Sequence, residues 1–122
     1  MKTRKPKETT YEVCNKHLTI YLQNPESGIL HLITYDRKVA DKLDDFKINK
    51  SRIKLQTFNR KKKKYENAGW IYNLYVLKQP KKLQQVLNEY NLKLDINSIV
   101  NYVKRYHAWA TKEIGEYYET AL

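Results

Sequence analysis

The chain has 122 residues, of which 24 are Lys or Arg and 13 are Asp or Glu, so its formal charge is +11. A chain this long buries roughly 60–70% of its unfolded surface without staples, and the single cysteine, Cys14, excludes an internal disulfide and a cysteine-rich zinc knuckle. No apolar run approaches the roughly 18 residues of a membrane span, and no apolar segment follows the N-terminal cations; the expectation is a cytoplasmic protein without membrane contact.

Residues 1–10 carry Lys2, Arg4, Lys5 and Lys7 against Glu8 and read as a basic flexible leader before a single α+β domain over 11–122. Leu18, Ile20 and Leu22 alternate with His17, Thr19 and Tyr21, which predicts a strand over 11–22. The turn formers Asn24, Pro25, Ser27 and Gly28 follow, and Ile29 to Tyr35 resumes the extended pattern, so the two segments form an antiparallel hairpin. Asp36 is placed to cap a short helix whose apolar stripe is Val39, Ala40, Leu43 and Phe46.

A second extended pair is expected over 51–59 and 70–77. Ile53, Leu55 and Thr57 alternate with Arg52, Lys54 and Gln56, giving one covered face and one basic wet face. The connection from Arg60 to Gly69 is polar and reads as a long flexible loop. Pro80 then opens a helix carrying Leu83, Val86, Leu87 and Tyr90. Residues 96–121 hold the strongest helical periodicity, with Ile96, Ile99, Val103, Tyr106, Ala110, Ile114, Tyr117 and Ala121 near one stripe. The predicted fold is α+β, a four-stranded antiparallel sheet in β-β-α-β-β-α-α order, with helices on one face and a long C-terminal helix.

The charge is unevenly placed. Residues 50–64 hold eight basic residues and no acid, whereas 113–122 hold Glu113, Glu116 and Glu119 with no base. A cationic concentration of this kind favours salt-sensitive encounters with polyanions. The expected partner is DNA or RNA, bound through Arg52, Lys54, Arg60, Lys61, Lys62, Lys63 and Lys64, with Tyr65 as an aromatic contact beside the lysines. Tyr72, Tyr75, Tyr35 and Tyr21 are further candidates for stacking on unpaired bases, against the plainer role of filling a half-wet core. The alternative is an inhibitor of a protein with an acidic surface or a nucleic-acid channel. The length of the final helix adds a third surface, where Val103, Ile114 and Tyr117 would meet a partner or a second copy in a homodimer.

Catalytic chemistry finds no comparable support. His17, His31 and His107 are dispersed, without metal-ligand spacing or a nucleophile motif. Gly28, Gly69 and Gly115 are isolated, so no phosphate-cradling glycine loop is present. Cys14 reads as a buried small hydrophobe. The expectation is a binding protein rather than an enzyme, with no cofactor and no metal.

The segment Ile33-Thr34-Tyr35-Asp36-Arg37-Lys38 with Ala40, Lys42 and Leu43, together with residues 70–82 ending in Lys78-Gln79-Pro80, resembles small proteins carried by phages and mobile elements. The resemblance covers about half the chain and implies no particular fold or binding residue. It implies accessory roles in replication, regulation or counter-defence.

Overall fold

Asn15 divides the first extended segment. Its Oδ1 accepts hydrogen bonds from the backbone N–H of His17 at 2.8 Å and of Leu18 at 3.2 Å, while Asn15 N–H donates to Leu18 O at 3.1 Å. The side chain thus satisfies a tight turn, and the segment read as one strand becomes β1 (Glu12–Cys14) and β2 (Thr19–Leu22). The computed structural model describes residues 4–48 and 53–121, with side chains at 53–57, 67 and 113–121 left out of the description.

Three further strands follow: β3 (Ile29–Thr34), β4 (Ile53–Asn59) and β5 (Lys64–Tyr75). The sheet order is β1-β2-β3-β5-β4, and every neighbouring pair is antiparallel. The chain therefore adopts the expected antiparallel α+β fold, with the short β1 added at one edge by the turn at Asn15.

Successive side chains point to opposite faces of a strand, and burial separates the two faces here. Ile20, Leu30, Leu32, Tyr72, Leu74 and Val76 are buried on the inner face. On the outer face Thr19, Tyr21, His31, Ile33, Ile71 and Asn73 are only half-buried, and registration places Tyr21, His31 and Asn73 in one row across three strands.

The helices cover the inner face. Helix α1 (Arg37–Asp45) begins at Asp36, whose Oδ1 accepts from the Lys38 N–H at 2.9 Å, as an N-cap should. Val39, Ala40 and Leu43 bury its apolar side. The Tyr72 hydroxyl lies 2.8 Å from Ala40 O and 2.7 Å from Asp44 Oδ1, so this tyrosine fills the core and finds polar partners at its tip. Helix α2 (Pro80–Glu89) has Pro80 at its first position and contributes Leu83, Val86 and Leu87 to the core. Its end is closed by Leu92 N–H donating to Leu87 O at 2.9 Å, with Asn91 at φ 53°, a left-handed closure for which asparagine is suited.

Helix α3 (Ile96–Ala121) is continuous over 26 residues, roughly 39 Å at 1.5 Å per residue. Its first half belongs to the core through Ile99, Tyr102, Val103 and Tyr106. Gly28, at φ 64°, lets the β2–β3 turn approach this helix, since a Cβ there would stand 3.2 Å from Val103 Cγ1. Val103 is consequently enclosed within its own chain and is not a partner-facing residue; a helical stripe is apolar whether it meets the chain's own sheet or another molecule, and here the sheet takes it. Ile114 and Tyr117 belong to α3, and their side chains lie outside the described residues.

Candidate nucleic-acid interface

The β4–β5 hairpin outgrows the sheet. Thr34 is the last residue of β3 and pairs with Trp70, so, among the described residues, 64–69 of β5 pair with β4 alone. At about 3.3 Å per residue, this two-stranded arm reaches roughly 20 Å beyond the end of β3. The stretch 60–69, read in the sequence as one long loop, is thus a four-residue turn at 60–63 followed by strand. Its strand character is hidden because an arm wetted on both faces carries no apolar alternation.

The arm leaves the sheet at a bulge. Leu55 pairs with Gly69 but Gln56 pairs with Asn67, which leaves Ala68 as the extra residue, an arrangement that bends a strand and increases its twist. Gly69 is packed tightly here, since a Cβ at this position would lie 2.7 Å from Thr34 O and 2.7 Å from Tyr35 Cδ1.

At the far end, Asn59 organises the turn. Its Oδ1 accepts from the N–H of Lys61 at 3.0 Å and of Lys62 at 3.1 Å, and Lys63 completes the reversal at φ 51°. Arg60, Lys61, Lys62, Lys63 and Lys64 are all exposed, so the tip gathers five cations within one turn and its flank. Glu66 is the acid nearest to them in the arm: it pairs with Lys62 at 3.3 Å and accepts from Asn59 Nδ2 at 3.1 Å. It ties the turn to the strand and offsets part of one lysine's charge.

Registration sorts the arm's side chains. Phe58 and Tyr65 are directly opposed and share one face, while Asn59, Lys64 and Glu66 belong to the other. The two rings stand 5.2 Å apart at 60°. Although they touch, Phe58 remains 52% and Tyr65 68% exposed, which marks the pair as an apolar surface beside the cations rather than part of a core.

Of the residues expected at the interface, Arg60 to Tyr65 are therefore brought together in the arm. Lys54 lies at its base, opposite Trp70, with its side chain outside the described residues, as is the whole of Arg52. Among the other tyrosines, Tyr72 is core, Tyr35 is 71% and Tyr75 46% exposed, and Tyr21 packs on His31 at 5.2 Å. Phe58 escapes a reading of the sequence by charge, yet its signal is present. Phe58 and Tyr65 are placed symmetrically about the tetrad at 60–63, as a hairpin centred there would require.

Two other elements bear on the interface classes. Lys5 stands 5.4 Å from the centre of the Trp109 ring, and the Thr9 N–H lies 3.5 Å from the Tyr102 hydroxyl, so part of the basic N-terminal segment runs along α3. Cys14 is exposed, contrary to the buried position expected of it, because β1 is an edge strand and Cys14 faces the open side opposite Thr19. Among the described residues no group of three or more His, Cys, Asp or Glu is arranged to hold a metal ion, and no helix is long and apolar enough to cross a membrane. Comparison with protein-family models, curated proteins and solved structures gives no match.

Proposed function

We propose that the chain is a small nucleic-acid-binding accessory or regulatory protein that engages the phosphate backbone with the tip of the β4–β5 arm. The observation that carries this reading is the position of Arg60 to Lys64 at the exposed end of an arm that stands clear of the third strand. Five cations clustered on a projecting turn approach a polyanion without the rest of the protein having to fit it. A two-stranded ribbon also has the width to enter a major groove. Phosphate contacts of this kind position a protein and carry little sequence information, so modest sequence preference is part of the proposal. No catalytic role is included.

The test is an affinity series for the full chain against duplex DNA, single-stranded DNA and RNA at increasing salt. Four or five phosphate contacts give a fall of about three to four decades in affinity for a tenfold rise in salt. Absence of binding to all three at low salt, with the protein folded, overturns the proposal. In that event a stoichiometric complex with an acidic protein that persists at high salt would establish the inhibitor reading.

A further inference from the structure

Phe58 and Tyr65 give the arm a property that its cations do not. We infer that this ring pair is a stacking site for unpaired bases, so that the arm selects single-stranded over fully paired nucleic acid; the inference rests on the nucleic-acid reading of the arm. The pair is opposed across β4 and β5 at 5.2 Å. A cross-strand aromatic contact alone accounts for the faces the rings turn to each other. It does not account for the 52% and 68% of the two residues left open.

The surroundings indicate what meets that surface. The cationic turn at 60–63 begins two positions beyond Phe58 and ends two positions before Tyr65, so a ligand on the rings reaches Arg60 to Lys63 directly, while Lys64 belongs to the arm's other face. An apolar partner alone leaves those charges unused, and a simple polyanion leaves the rings wet. A strand of unpaired nucleotides satisfies both: phosphates meet the cations and base faces meet the rings. In a duplex the base faces are already stacked on one another, and opening a step for a wedge costs unstacking energy. An unpaired base presents its face freely. Phe58 has no hydrogen-bonding group, so its part in recognition is stacking and is tolerant of base identity.

The experiment compares three probes with the same number of phosphates: an oligodeoxythymidine, an abasic oligomer and a fully paired duplex. Each is titrated at fixed salt with the full-length wild type, the Phe58→Leu/Tyr65→Leu double variant and Tyr65→Trp. The expected result is that the wild type binds the oligodeoxythymidine at least tenfold more tightly than the abasic oligomer. The double variant should remove that preference while leaving abasic affinity and its salt dependence unchanged, and Tyr65→Trp should keep the preference. Thermal unfolding establishes that each variant is folded, and Tyr65→Trp retains an aromatic pair should the double variant disturb the arm. Equal affinity of the wild type for base-bearing and abasic oligomers, or tighter binding to the duplex, overturns the stacking site and leaves the cationic tip standing. No binding to any probe overturns the proposed function as well.

Discussion

The ring of Tyr35 occupies the space that a side chain at Gly69 would need: a Cβ there would lie 2.7 Å from Tyr35 Cδ1 and equally close to Thr34 O. The contact sits where the arm departs from the sheet, and one of the two obstructing atoms is backbone. Gly69→Ala should therefore destabilise the protein by about 1–3 kcal/mol, the usual range for overpacking a tight site. Chemical denaturation of the variant checks this. Adding Tyr35→Ala should recover part of the loss, since the remaining obstruction is the Thr34 carbonyl.

Lys63 carries the left-handed backbone of the turn at φ 51°, a conformation that disfavours residues with a Cβ and β-branched ones most of all. Lys63→Gly should be neutral or should strengthen the arm by up to about 1 kcal/mol, whereas Lys63→Val should weaken it by a comparable amount. Hydrogen exchange at the amides of Phe58 and Tyr65 is the appropriate measurement. The core amides of β3 should be unaffected in both variants.

Replacing Lys61, Lys62, Lys63 and Lys64 by serine separates binding from folding. These residues are exposed, and each such change alters stability by only about half a kcal/mol or less. Polyanion affinity at low salt should fall steeply, and the salt dependence should lose about 0.7–0.9 in slope for each phosphate contact removed. Unchanged affinity would remove these lysines from the interface.

Glu26 and Tyr106 make the protein's stability depend on pH at both ends of the scale. The Tyr106 hydroxyl donates to Glu26 Oε1 at 2.7 Å. That hydrogen bond is the main cause holding the Glu26 carboxyl below its ordinary value, and it is likewise the main cause raising the Tyr106 phenol. A depressed carboxyl contributes stability that is present above its unfolded value and is lost as pH falls through the folded one. A raised phenol contributes stability that is present below its unfolded value and is lost as pH rises through the folded one. Thermal unfolding against pH should show both limbs, and Glu26→Gln should flatten the acid limb contributed by this pair.

Exposure of Cys14 predicts rapid reaction with a thiol reagent under native conditions. Labelling should be complete without denaturant and should leave the unfolding temperature nearly unchanged. Labelling that waits on unfolding would contradict the placement of β1.

The parts of this fold that were legible in the sequence are those where burial imposes a period. Leu30 and Leu32, Leu74 and Val76, and the helix positions Val39, Leu83, Val86 and Ile99 repeat at strand or helix spacing because one face of each element is covered. The turn at Asn15 is not legible in that way: the period of Leu18, Ile20 and Leu22 carried back through it puts Cys14 on the covered face, whereas the phase changes at the turn, so that Val13 registers with Ile20 and Cys14 with Thr19. The strand from Lys64 leaves no periodic trace at all, having no covered face to impose a pattern. The cationic part of the candidate interface is visible as composition. Its aromatic part is not, because Phe58 and Tyr65 are seven positions apart and become neighbours only through the hairpin register.

The single-layer construction of the arm also bears on how this protein can change. Among the described residues the hairpin has no third strand beyond Thr34, and Lys61 and Lys63 are exposed to solvent. Substitution at the tip consequently encounters few steric vetoes, provided that Asn59 keeps the turn and Gly69 keeps the exit. The tip can change in charge and shape while the residues enclosing Tyr72 and Val103 stay as they are. The molecule thus separates a packed platform from an exchangeable fingertip, and a hairpin from another source grafted between Leu55 and Gly69 should be accepted without refolding the rest.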